Sequence, residues 1–296
     1  MSTASPFGRL LTAMVSPMRP DGSLDAEGAK RVAEHLVESG HDGIVVNGTT
    51  GESATLSDDE SLEMVSLVAE AVGGRAAVVA GVGSNATAHS VEMAARAQHA
   101  GATGLLLVTP YYNKPTQAGV VAHCRAVAGV TDLPVMLYDI PGRTGIPFTT
   151  ETLRELATVP TIVAVKDAKG DLWASTQVMA TTDLIWFSGD DVLSLAHLAQ
   201  GAVGVVSVVG HVAGREYAAM IAAVEQGDLG TAREIHRRLV PAVDAIMSTS
   251  QGAIMAKAAL VELGVIEHAT VRLPLVESPP EHLELLRAGM KQSGLL

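Results

Sequence analysis

Between Leu10 and Glu225 the sequence alternates short apolar, strand-like runs with amphipathic segments eight times over, and few folds accept such a cadence. The first four predicted pairs are Leu10–Ser16 with Asp25–Ser39, Gly43–Val46 with Ser57–Val72, Ala77–Gly81 with Thr87–Ala100, and Gly104–Val108 with Gln117–Val130. The next four are Val135–Tyr138 with Thr149–Leu156, Ile162–Lys166 with Asp171–Ala180, Leu184–Ser188 with Asp191–Leu198, and Gly204–Ser207 with His211–Glu225. Strands joined through helices run parallel, with right-handed crossovers. Eight such units close a (β/α)8 barrel, the TIM barrel, and roughly 225 residues suits its usual size. An open doubly wound sheet is the alternative, but Gly81-Val-Gly83 lacks the third glycine of its phosphate-binding fingerprint. From Asp228 the strand signal stops, and Asp228–Ser248, Gln251–Leu263 and Glu281–Met290 read as helices. The predicted organisation is an α/β catalytic barrel over residues 1–227 and a C-terminal helical appendage over residues 228–296.

Only 3% of the residues are aromatic, so the core of such a barrel must rest on Ala, Val, Leu, Ile and Met. A formal charge of −12 argues against nucleic acid as a partner, because that requires a basic face. Cys124 is the one cysteine, so the chain forms no internal disulfide; its helical setting predicts a buried thiol. No apolar run approaches the ~20 residues needed to span a bilayer. The N-terminus lacks the basic-then-apolar order of a signal peptide. The expected setting is the cytoplasm, where the triplets at Asn47 and Asn85 carry no sugar.

A barrel of this kind does its chemistry at the carboxyl ends of its strands. Strand six, Thr161-Ile-Val-Ala-Val165, reads as buried on both faces and ends on Lys166. Of six lysines, Lys166 alone is so placed. An ammonium against apolar walls loses solvation, its pKa falls, and the neutral amine can attack a keto group to form a Schiff base. A lysine snorkelling to water is the plain alternative. The other strand ends weigh against that alternative. Asn47-Gly-Thr-Thr-Gly-Glu52 offers hydroxyls and backbone N–H groups for a small carboxylate or a proton relay, although a glycine turn with capping threonines has the same composition. Strand four ends in Thr109-Pro-Tyr-Tyr-Asn-Lys-Pro115, and strand five in Tyr138-Asp-Ile-Pro-Gly-Arg-Thr-Gly145. Tyr138 can pass protons near a reacting carbon, and Arg143 can grip a carboxylate with two prongs. Three of the four tyrosines, a lysine and an arginine thus gather on one predicted face, which chance placement explains poorly. The ten histidines show no metal-ligand spacing, and neither a P-loop nor a nucleophile elbow occurs. Asp139, Asp167, Asp190 and Asp191 could meet a divalent cation at the same mouth, but turn and cap roles account for them as well.

Five motifs in order carry a family resemblance: Gly48-Thr-Thr-Gly-Glu-Ser53, Pro110-Tyr-Tyr-Asn-Lys-Pro115, Tyr138-Asp-Ile-Pro-Gly-Arg-Thr-Gly145, Val165-Lys-Asp-Ala168 and Ser188-Gly-Asp-Asp191. From about Leu10 to its C-terminus the chain resembles the dihydrodipicolinate synthase family of pyruvate-dependent class I aldolases. The resemblance implies condensation of pyruvate with L-aspartate 4-semialdehyde, a step of diaminopimelate and lysine biosynthesis. Lys166 would form the imine with pyruvate. Thr49 and Thr50 would serve as the carboxylate and relay threonines, with Tyr138 and Tyr112 completing a hydroxyl relay. In the family the tyrosine matching Tyr112 reaches a neighbouring subunit's site, which implies a homo-oligomer, usually a tetramer built as a dimer of dimers. Arg143 would clamp the carboxylate of the semialdehyde, and Gly189 and Val206 would line the pyruvate pocket. Because the lysine supplies the electron sink, neither a metal nor an organic cofactor is expected.

Ser53, Ala54, Asn85 and Tyr111 match a pocket in which many family members bind lysine as a feedback inhibitor. Lysine-sensitive members carry two histidines and a glutamate where Asp58, Ser61 and His89 stand here, so inhibition is expected to be weak or absent. Two further readings remain. A related aldolase or lyase acting on a hydroxylated 2-keto acid is disfavoured by Arg143. A keto-acid-binding regulator without turnover is disfavoured by the intact Lys166 and tyrosine set.

Overall fold

The strands are only four to six residues long, and the side chains that point inward follow the period-2 alternation of a strand except where β6 slips register against β5. The computed structural model describes residues 5–296. Within them β1 (Leu10–Ala13), β2 (Gly43–Val46), β3 (Ala77–Gly81), β4 (Gly104–Val108), β5 (Val135–Asp139), β6 (Ile162–Asp167), β7 (Ile185–Ser188) and β8 (Gly204–Ser207) pair in parallel in chain order and close into a barrel. The interior is filled by Leu11, Ala13, Val45, Val79, Leu106, Met136, Ala164, Phe187 and Val206. Their outward neighbours, among them Ile44, Val46, Leu105, Leu107, Leu137 and Val165, pack instead under the surrounding helices. Phe7 closes the amino-terminal end, its ring edge-on to Phe187 at 6.3 Å between centroids. Gly104 makes room for that plug, since a Cβ there would lie 2.5 Å from the Phe7 ring.

The helices are α1 (Ala26–Glu38), α2 (Asp58–Val72), α3 (Thr87–His99), α4 (Gln117–Ala128), α5 (Pro141–Thr144), α6 (Thr150–Leu156), α7 (Leu172–Met179), α8 (Ser194–Gln200) and α9 (Gly210–Glu225). Three more follow the barrel: α10 (Leu229–Met247), α11 (Gly252–Glu262) and α12 (Pro280–Gln292). Residues of α9 and α10 form a second apolar core with Met255, Ala258 and Ala259 of α11 and Leu286 and Met290 of α12. The TIM barrel with a C-terminal helical appendage is therefore the fold. Among the described residues no helix is long and apolar enough to cross a membrane. Cys124 is fully buried, and desolvation pushes its thiol up to about 12.

Two boundaries differ from expectation by three residues, both because a side chain captures a backbone donor; the others agree to within two. β1 stops at Ala13 rather than Ser16, since the Val15 N–H donates to Nε2 of His211, and Ser16 Oγ turns to the Gly51 carbonyl. The helix expected from Asp191 begins with a 3₁₀ turn, Asp191–Leu193, capped by the Asp190 carboxylate, before α8 proper. The short α5, entered through Pro141, lies in a stretch expected to be loop.

Candidate active site

Lys166 reaches the mouth of the barrel because, past a register irregularity against β5 that skips Val163, Ala164 points inward, Val165 outward and Lys166 inward again. In register beside it are Tyr138 on β5 and Phe187 on β7. The Lys166 ammonium lies 4.2 Å from the centre of the Tyr138 ring, a cation–π contact. The side chain is 4% exposed. Burial, reinforced by the nearby Arg143 charge, brings the Lys166 amine down to about 7 against the partial opposition of Asp191 and Asp190. Burial also pushes the Tyr138 phenol up to about 12, so it stays protonated and able to donate. Gly189 stands against the lysine stem: a Cβ there would sit 2.8 Å from Lys166 Cγ and 3.1 Å from the Asp167 carbonyl. Val206 is buried and inward-facing on β8.

Thr50 is buried in a 3₁₀ turn, Thr49–Gly51, directly after β2, whereas Thr49 is exposed. Arg143 occupies the α5 turn after β5 and is exposed, although its charge is felt by both Lys166 and Tyr138. Tyr112 is 87% exposed, and its hydroxyl hydrogen-bonds neither Thr50 nor Tyr138 among the described residues. Within one chain the structure thus brings Lys166, Tyr138, Gly189, Val206 and Thr50 to one end of the barrel and leaves Tyr112 turned to solvent. The four non-glycine residues with left-handed backbone among those described are Asn47, Glu52, Tyr112 and Lys114. All four sit in the loops after β2 and β4. Such conformations cost ~1–3 kcal/mol each and persist only where their surroundings enforce them.

The aspartates have protein partners. Asp139 accepts from the Phe148 N–H and lies 3.8 Å from the Lys169 ammonium; burial nonetheless raises its carboxyl to about 7. Asp167 accepts from Ser175 Oγ and the Trp186 indole. Asp191 accepts from Ser207 Oγ, Tyr217 OH and two backbone N–H groups, and burial raises its pKa. Asp190 caps the 3₁₀ turn. Among the described residues no cluster of three or more potential ligands could hold a metal ion.

Two features escaped sequence reasoning. Tyr217 buries its hydroxyl on Asp191 beneath the site. Lys257, fully buried on α11, binds Glu52 at the end of the threonine turn. The available signal for the second was one lysine inside the otherwise apolar run Ala253–Val261, where nothing local could neutralise it.

The family model described as the dihydrodipicolinate synthetase family (DHDPS) matches residues 6–293. The chain belongs to the dihydrodipicolinate synthetase family. It is 56% identical over 290 residues to the 4-hydroxy-tetrahydrodipicolinate synthase of Kineococcus radiotolerans, covering 98% of this chain and 94% of that one. It is 53% identical to 4-hydroxy-tetrahydrodipicolinate synthase 2 of Streptomyces coelicolor, with 98% and 97% covered. Among solved structures it resembles the family's crystal structure from Cyanidioschyzon merolae with lysine bound. The TM-score there is 0.95 and the identity 43%, with 98% of this chain and 99% of that one covered.

Proposed function

We propose that the chain condenses pyruvate with L-aspartate 4-semialdehyde, the reaction of a 4-hydroxy-tetrahydrodipicolinate synthase, by a class I aldolase mechanism. The observation that carries this reading is Lys166, buried at the barrel mouth with its amine brought down to about 7. The neutral amine adds to the keto carbon of pyruvate and water leaves, giving the imine. Loss of a methyl proton gives the enamine, whose carbon attacks the aldehyde carbon while the aldehyde oxygen takes a proton. The amino group of the semialdehyde then attacks the imine carbon, closes a six-membered ring and releases Lys166. Each step moves a proton, and the high-pKa Tyr138 phenol over Lys166 is the donor and acceptor at hand, with Thr50 on the same rim. Thr49 and Thr50 supply hydroxyls and N–H groups to the pyruvate carboxylate, and Gly189 and Val206 form its walls. Arg143, exposed at the rim, takes the carboxylate of the semialdehyde.

The exposed Tyr112 on a strained backbone fits delivery of its hydroxyl to a neighbouring copy's site, in a tetramer arranged as a dimer of dimers. Residues 1–227 act as the catalytic barrel and 228–296 as the helical appendage. The single buried thiol suits a cytoplasmic setting. In the proposed effector pocket, formed by Ser53, Ala54, Asn85 and Tyr111, His89 is engaged by Asp58 at 2.9 Å. Neither replaces a free carboxylate facing a lysine amino group, so L-lysine inhibits weakly or not at all. Complete inhibition by sub-millimolar L-lysine in a steady-state assay would overturn this.

The reaction is tested by following pyruvate consumption with the semialdehyde beside a panel of sugar-derived aldehydes. Consumption with the semialdehyde alone is expected. Consumption with sugar aldehydes alone would sink the role of Arg143 and leave that of Lys166.

A further inference from the structure

The turn that carries Thr50 is held from the far end of the chain. Glu52, which ends it, is 4% exposed and left-handed, with φ of 56°. One carboxylate oxygen of Glu52 accepts from the ammonium of Lys257 on α11, and the other accepts from the backbone N–H of Arg272, 2.9 Å away. Lys257 also donates to the Thr270 carbonyl at 2.7 Å. The Arg272 side chain completes the strap, donating to the carbonyls of Gly22 and Thr55 and, through two nitrogens, to the Glu60 carboxylate. From the barrel side, Ser16 Oγ donates to the Gly51 carbonyl at 2.7 Å. The turn is thus fixed at both flanks while Thr50 itself makes no side-chain hydrogen bond among the described residues.

Burying a charge pair this fully gains little net stability, since desolvation offsets the attraction; its attested use is to fix one arrangement among several. A left-handed glutamate likewise relaxes unless its surroundings hold it. We infer that Lys257 and Arg272 are positioning residues that, through Glu52, hold the threonine turn in the geometry required by pyruvate, coupling the helical appendage to the active site. The inference rests on the role proposed above for Thr50. A shift of about 1 Å in a positioned group can cost on the order of 100-fold in rate.

The test uses the full-length protein. Lys257→Met alone strands a buried carboxylate and risks unfolding, so the informative variants are the double Glu52→Gln/Lys257→Met, which removes both charges, and Arg272→Gln, which keeps the buried pair. The double variant is expected to fold, and to form the borohydride-trapped pyruvate imine to the normal extent but more slowly. Its kcat/KM for pyruvate should fall ~10- to 100-fold, with an unchanged KM for the semialdehyde, whose clamp lies after β5. Arg272→Gln should move the same constants in the same direction by a smaller factor. A pair with only a structural role would lower the melting temperature and leave the kinetics of the folded protein unchanged. That outcome in either folded variant overturns the inference, and Arg272→Gln decides alone should the double variant not fold. Lack of turnover in the unmodified protein would count against the synthase reading instead. The positioning role is then read from the imine-trapping rate, and equal rates overturn it.

Discussion

Lys166 carries two opposed consequences of one burial. Its amine stands at about 7 in the fold, against an ordinary value of 10.5. Between those values the folded chain binds fewer protons than the unfolded one, so stability rises with pH across that window; below about 7 the full cost of the buried amine is present. Lys166→Met is therefore expected to be more stable than the native protein at pH 7 by more than ~1 kcal/mol, and so to melt at a higher temperature, while giving no borohydride-trapped adduct with pyruvate. A lower melting temperature would mean that the site does not strain against its lysine. Gly189 is the second residue on which the site turns. The methyl of Gly189→Ala would meet Lys166 Cγ at 2.8 Å with the Asp167 backbone behind it. The side chain is the part that can yield, so the amine is displaced: turnover should drop more than ~10-fold with the far-ultraviolet circular dichroism unchanged. Native turnover in a folded Gly189→Ala protein would mean the lysine has slack that the geometry does not show.

At the scale of elements, what was legible in the sequence was whatever repeats with a period. The strand–helix cadence placed every strand of the barrel to within a few residues and put Lys166 and Tyr138 at strand ends on one face, whereas the register irregularity between β5 and β6 was not readable. What was hidden lies between residues far apart in sequence. His211 ends β1 from 196 residues away, and Lys257 meets Glu52 across 205. The start of α2 shows both kinds of information in one place. Ser57 and Glu60 form a reciprocal capping box, readable as Ser-x-x-Glu, whereas the grip of Arg272 on the same Glu60 is not. Arg272, with help from the cap, holds the Glu60 carboxyl down to about 2. Because that value lies below the ordinary 4.5, the stabilisation is present above 4.5 and lost as the pH falls toward 2. Ser57→Ala should cost about 1 kcal/mol, the usual worth of a cap. Glu60→Gln should cost more, since it also releases Arg272. In urea titrations at pH 7, 5 and 4 the gap between native and Glu60→Gln proteins should narrow at the lowest pH. A gap independent of pH would mean that the carboxylate charge contributes nothing.

For the whole molecule, the exposure of Tyr112 bears directly on whether one chain completes a site. Tyr112 is 87% exposed on a left-handed backbone, and its side chain makes no hydrogen bond among the described residues. Its backbone cost of ~1–3 kcal/mol is of the kind that collects at functional sites. If Tyr112 serves the neighbouring copy, a lysine-deficient chain can still lend its tyrosine, and a tyrosine-deficient chain can still use its own lysine. Lys166→Ala should be inactive and Tyr112→Phe slowed at least ~10-fold, since one relay hydroxyl is lost. Mixed under conditions that allow subunits to exchange, the two variants should regain activity beyond the sum of the separate proteins, because each hybrid pair holds one site with both groups intact. Regain should also fall on dilution, in step with loss of the assembly by size-exclusion chromatography. Were Tyr112 to act within its own chain, no mixture could assemble an intact site, and activity would stay at the sum at every concentration.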